Sequence, residues 1–116
     1  MKMPHLCFVD RLAARDGCVK AWLEIKCRTN DFSKYPTYMI SARKIRDGLH
    51  LSDITGVPFI LVVSWSDCIK FTQVTGNYPT RSGGRYDRND ALDVETVCDI
   101  PLDDSWKKII DFREVA

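Results

Sequence analysis

Glu24, Ile25 and Lys26 are consecutive in the segment Trp-Leu-Glu-Ile-Lys-Cys-Arg, and Asp10 lies upstream in Phe-Val-Asp-Arg-Leu. In an extended chain side chains alternate, so Glu24 and Lys26 share one face, roughly 6.5–7 Å apart along the strand. A hairpin closing at Asp16-Gly17 brings Asp10 level with Glu24. Two carboxylates and the Ile25 carbonyl form an all-oxygen donor set, suited to Mg²⁺ or Mn²⁺. Such an ion polarises a phosphoryl oxygen and acidifies a bound water. Lys26 then orients or activates that water, or offsets the charge that develops on the phosphoryl group. The same Glu/Lys pair is also what an ordinary surface ion pair looks like, worth well under ~1 kcal/mol.

Other chemistries find little support. The five cysteines (Cys7, Cys18, Cys27, Cys68 and Cys98) are scattered and contain no Cys-x-x-Cys, against a disulfide framework or a zinc ribbon. Free, buried or half-buried thiols are expected instead. His5 and His50 have no partner at metal-ligand spacing, and no nucleophile-elbow pattern is present.

The elements that must hold the candidate residues follow from periodicity. Residues 6–15 and 18–28 flank Asp16-Gly17, a hairpin signal. In the second segment Val19, Ala21, Leu23, Ile25 and Cys27 alternate with Lys20, Trp22, Glu24, Lys26 and Arg28, so the first set is expected to face a core. Residues 29–38 read as a loop. From Ser41, a credible N-cap, Ala42, Ile45 and Leu49 fall on one helical stripe that Gly56 can end. Gly48 weakens this helix by ~1 kcal/mol relative to Ala. Residues 57–65 are almost continuously apolar, the pattern of a strand covered on both faces, and their place after strand and helix predicts a parallel neighbour. Residues 68–74 form a returning strand. Residues 76–90 read as a long flexible loop, 93–100 as a last edge strand and 105–112 as a terminal helical turn. The expected fold class is α/β (α+β), one domain over 1–116, with a small mixed sheet and one principal helix.

Composition bounds the rest. With 116 residues, 45% hydrophobic and 28% charged, the chain suits one globular domain. No apolar run is long enough to span a membrane, and the N-terminus is not of the secretory type, so a cytoplasmic protein is expected. The net charge of +1 conceals an asymmetry. Residues 11–46 carry nine Lys/Arg against three acids, and residues 89–116 carry three against eight. A basic half suits a polyanion, though two solvated faces that nearly cancel would look the same. Arg28, Lys34 and Arg43 are its candidate nucleic-acid contacts. Arg81, Arg85 and Arg88 around Gly83-Gly84 are another set, because arginine forks bind phosphates where glycine permits close approach. Trp22, Trp65 and Trp106 read as packing residues rather than stacking platforms.

These motifs resemble the PD-(D/E)XK nuclease superfamily, with its restriction-endonuclease-like fold. Asp10, then Glu24-Ile25-Lys26, then Ile40-Ser41-Ala42-Arg43-Lys44 and the strand Pro58-Phe59-Ile60-Leu61-Val62-Val63 carry the resemblance, which covers roughly residues 8–74. The phrase Lys34-Tyr35-Pro36-Thr37-Tyr38-Met39-Ile40-Ser41 is similar to small uncharacterised bacteriophage proteins of that type. The resemblance implies that Asp10 and Glu24 bind metal, that Lys26 is the catalytic lysine, and that Lys44 reaches the site from the helix. Val9 stands where the family usually has proline. Only nine residues precede Asp10, where such domains usually begin with a helix, so a core without that helix is expected. The implied function is a Mg²⁺- or Mn²⁺-dependent endonuclease or junction-cleaving enzyme. DNA rather than RNA is the expected substrate, a homodimer is compatible with one site cutting one strand, and host cytoplasm is the setting if phage-encoded. The alternative is a non-catalytic nucleic-acid-binding or interaction protein, a phage regulator or inhibitor, that keeps the fold.

Overall fold

A computed structural model describes residues 11–84 and 94–111. Asp16 and Gly17 both adopt positive φ, 54° and 77°, and join β1 (Arg11–Arg15) to β2 (Cys18–Cys27) as an antiparallel hairpin. The expected loop over 29–38 holds as far as Pro36, with a short 3₁₀ turn (Phe32–Lys34) within it, and ends two residues early where β3 (Thr37–Ser41) begins. In β3, Tyr38 and Ile40 are buried and Met39 points out, a period-2 pattern that Pro36 and the turn formers before it obscured. β3 runs straight into α1 (Ala42–Thr55). Ser41 occupies the N-cap position, but its side chain makes no cap hydrogen bond.

Helix α1 buries Ile45, with Ala42 and Leu49 half-buried against the core, as the stripe predicted. Gly56 ends it in the left-handed region, φ 71°, its N–H donating to the Ser52 carbonyl at 2.9 Å. Gly48 is explained by packing. A Cβ there would lie 2.2 Å from the Phe59 ring, so its absence lets α1 settle onto the sheet.

Beyond α1 come β4 (Phe59–Ser64), β5 (Cys68–Gln73), β6 (Thr80–Gly84), β7 (Val94–Pro101) and β8 (Lys107–Asp111). β4 is parallel to β2, as the strand-helix-strand order required. The described residues form two sheets rather than one: five strands ordered β1-β2-β4-β5-β8, and three ordered β3-β7-β6. β6 lies inside the expected 76–90 loop, β7 is the centre of its sheet rather than an edge, and β8 replaces the expected helical turn.

One expectation about β2 holds at its start, where Ala21 is buried and Val19 packs against the core, and reverses from Trp22 onward. Trp22 and Glu24 are buried, while Ile25 is 40% exposed and Cys27 is exposed. The helix and the core cluster lie on the Trp22–Glu24 side, so the face with charged residues is the covered one. β4 shows the same asymmetry: Phe59, Leu61 and Val63 are buried, and Ile60, Val62 and Ser64 only half-buried. Trp22 Nε1 donates to Thr55 Oγ1 at 2.9 Å and ties β2 to the end of α1. Trp65, Trp106, Tyr38 and Phe32 form an edge-packed aromatic cluster at the far end, with Trp65 5.3 Å from Trp106 and 5.0 Å from Phe32. All three tryptophans are packing residues, as expected.

Candidate active site

The site is built where β2, β3 and α1 meet. Glu24 is 0% exposed and, with Thr72, is one of two buried polar residues among those described. Its Oε1 lies 3.3 Å from Lys26 Nζ and 3.2 Å from Lys44 Nζ. The period-2 spacing of β2 supplies Lys26, and the first turn of α1 supplies Lys44 from the other side. Both contacts are ion pairs that fall short of hydrogen-bond geometry, and Oε2 meets no partner among the described residues. Placing a carboxylate at zero exposure is costly unless charges of opposite sign or other partners compensate. Here two half-exposed ammonium groups compensate one oxygen and leave the other open.

Above this floor is a cavity of about 320 Å³, lined by Lys26, Arg28, Ser41 and Lys44 with Met39, Ile40 and Val97. Three cations line the cavity and no carboxylate does, an imbalance that favours an anionic ligand. Arg28 donates to the Cys27 carbonyl at 3.0 Å and the Met39 carbonyl at 3.4 Å, and its guanidinium lies 4.5 Å from the centre of the Tyr38 ring. Burial pushes the Tyr38 hydroxyl up to about 12; Arg28 opposes that shift and the charge of Glu24 adds to it.

The other candidates separate. Asp10, Arg85 and Arg88 lie outside the described residues, as does Cys7. Lys34 is exposed with its Nζ 5.5 Å from the Tyr35 ring, and Arg43 is exposed beside Asp47 at 3.7 Å. Neither lines the cavity over Glu24. Arg81 forms a two-pronged pair with Asp99 at 2.7 and 3.1 Å, so it is committed within its own sheet. The Ile25 side chain points away, leaving only its backbone beside Glu24 and Lys26. Tyr38 and Met39 at the site escaped sequence reasoning; their signal was the Thr-Tyr-Met-Ile-Ser alternation.

Fold and site together define a small α+β protein with a nuclease-like core: a Glu-x-Lys strand, a helix returning a second lysine, and a parallel strand behind them. The chain belongs to the family described as phage putative PDDEXK endonuclease, whose model matches residues 1–108. No curated protein and no solved structure matches it. Among the described residues, no helix is long and apolar enough to cross a membrane.

Proposed function

We propose that this protein is a divalent-metal-dependent nucleic-acid phosphodiesterase, an endonuclease or junction-cleaving enzyme acting on DNA, with Glu24 at its centre. One observation carries the reading: a fully buried carboxylate with two lysines on one oxygen and no partner on the other among the described residues. An orphaned carboxylate oxygen is the donor type that Mg²⁺ or Mn²⁺ takes, so the residues fit the ion. Glu24 Oε2 and the Ile25 carbonyl would hold it, with a second carboxylate needed. No group of three His, Cys, Asp or Glu converges among the described residues. Asp10 is the candidate, because Arg11 pairs with Leu23, one position short of Glu24, and Asp10 is next in the sequence. When bound, the ion supplies Lewis-acid polarisation of the phosphoryl group and an acidified water.

The chain's own residues do the rest. Lys26 and Lys44 hold Oε1 from two sides and leave Oε2 for the ion. Their ammonium groups, with the Arg28 fork, draw a phosphodiester to the site and offset charge on its non-bridging oxygens. In the hydrolysis a water oxygen bonds to phosphorus and the bond from phosphorus to the leaving sugar oxygen breaks. The water gives up one proton and the leaving oxygen gains one. Lys26, on the strand with Glu24, is the donor that orients the attacking water.

The test offers supercoiled, linear and branched DNA to purified protein with Mg²⁺ or Mn²⁺, beside Glu24→Ala and Lys26→Ala. Cleavage by the wild type alone, abolished by chelation, is expected. Equal cleavage by all three would overturn the assignment. Binding without cleavage of any substrate would favour a binding protein or phage regulator on the same fold.

A further inference from the structure

A second cavity, of about 350 Å³, adjoins the one over Glu24 and shares Arg28 and Met39 with it as common walls. Its character differs. The lining includes Tyr35, 54% exposed, the amide of Asn30, and the buried rings of Tyr38 and Trp65. One N–H of Asn30 is taken by the Asp31 carbonyl at 2.9 Å, which leaves the rest of its amide able to hydrogen-bond a ligand. The Tyr38 hydroxyl is buried beside Arg28 and meets no hydrogen-bond partner at good geometry among the described residues. Flat apolar surface with a few convergent polar groups is what a planar heterocycle requires.

The walls are braced before any ligand arrives. Arg28 N–H donates to the Ser64 carbonyl at 2.8 Å and Ser66 N–H to the Asn30 carbonyl at 3.1 Å. Phe32 N–H donates to Asp67 Oδ1 at 3.1 Å, and Ser66 Oγ donates to Asp31. The segment over 28–34 is thus stitched to the β4–β5 turn. Arg28 itself spends two of its five N–H donors on the Cys27 and Met39 carbonyls, so others can turn to a phosphate at the partition.

From this juxtaposition we infer that the second cavity binds the unpaired base of the nucleotide next to the phosphate held over Glu24. Arg28 clamps the backbone between the two, Tyr35 provides the stacking surface, and Asn30 and the Tyr38 hydroxyl read the base edge. A base paired within a continuous duplex is stacked above and below and cannot enter such a cavity without leaving the helix. The preferred substrate class is therefore DNA with a single-stranded segment at the cut, such as an overhang, a flap or a branch. The inference rests on the proposed function for the phosphate that neighbours the base.

Binding separates the two claims, because it needs no cleavage. Fluorescence anisotropy with chelator present would compare labelled mixed-sequence single strands, blunt duplex and duplex with a single-stranded tail, using wild type, Tyr35→Ala and Tyr35→Phe. The wild type is expected to favour the single strand and the tailed duplex over blunt duplex. Tyr35→Ala should lose roughly 5- to 100-fold on those two ligands, the range of one base stacked on one aromatic ring, and little on blunt duplex. Tyr35→Phe should retain the preference. Tyr35 is exposed, so unchanged melting is expected to accompany the loss. Equal wild-type affinity for all three ligands, or an equal loss on all three in Tyr35→Ala, would overturn the inference. Should the preference and its loss appear while no DNA is ever cut, the base site stands and the nuclease reading falls. Should Glu24-dependent cleavage appear without any strand preference, the nuclease reading stands and the base site falls.

Discussion

Replacing Gly48 by Ala separates helix propensity from packing. In an exposed helix interior the change would stabilise by about 1 kcal/mol. Here the added Cβ would sit 2.2, 2.4 and 2.5 Å from three atoms of the Phe59 ring. Phe59 is 1% exposed at the start of β4, opposite Trp22 in the parallel register, so the ring cannot swing into solvent. Overpacking of this kind costs typically 1–3 kcal/mol, and three ring atoms this close put it at or above the top of that range. Set against the propensity gain, a net loss of about 2 kcal/mol remains. Urea denaturation read by tryptophan fluorescence would measure it as a lower midpoint at unchanged slope. Phe59→Leu alone also destabilises, by opening a cavity. In the Gly48→Ala background it should cost at least ~1 kcal/mol less, because the smaller side chain relieves the clash. A Gly48→Ala protein as stable as the wild type, or additive effects of the two changes, would refute this explanation of why α1 carries a glycine.

Further expectations concern the caps, the ionisable groups and the second lysine. Gly56→Ala should cost about 1 kcal/mol in the same assay, because φ 71° suits glycine and the cap hydrogen bond must be kept, and Gly56→Asn should cost less. The Tyr38 hydroxyl stays neutral to about 12 in the fold but ionises near 10 when unfolded. Between those values the folded state holds the extra proton, so this group's contribution to stability is full below pH 10 and falls as the pH rises to 12, by roughly 2–3 kcal/mol. Urea melts at pH 9 and 11 should show less of this fall in Tyr38→Phe than in wild type; identical falls would contradict it. Lys44→Met should lower DNA cleavage at least about 10-fold while leaving the fold intact, since its side chain is half-exposed; single-turnover rates read this directly.

The legible parts of the sequence were those where one period dominated. The β1–β2 hairpin was written in Asp16-Gly17, the helix in Ala42, Ile45 and Leu49 with Gly56 behind them, and the parallel β2–β4 pairing in the order of elements. β3, β6 and β8 were hidden because each is five residues long and abuts turn formers or charges. The orientation of β2 was misread for a physical reason. Charge on a strand face ordinarily means solvent, but here Glu24 is buried and is met by Lys26 from its own strand and by Lys44 from α1. The family resemblance implies that Lys44 reaches the site from the helix, and Lys44 Nζ lies 3.2 Å from Glu24 Oε1. Arg81 looked like a phosphate ligand because nothing in the sequence revealed Asp99 diagonally across from it on β7, two residues beyond its register partner Val97.

The most direct measurement is single-turnover cleavage of a tailed DNA duplex in Mn²⁺ by wild type and Glu24→Gln. The amide keeps the shape of the carboxylate and discards its charge, so folding can be matched between the two while metal binding and the clamp of Lys26 and Lys44 are both removed. A metal site centred on Glu24 predicts cleavage by the wild type and a loss of at least about 100-fold in Glu24→Gln, with the two proteins melting within a few degrees of each other. Cleavage by Glu24→Gln at the wild-type rate would contradict it.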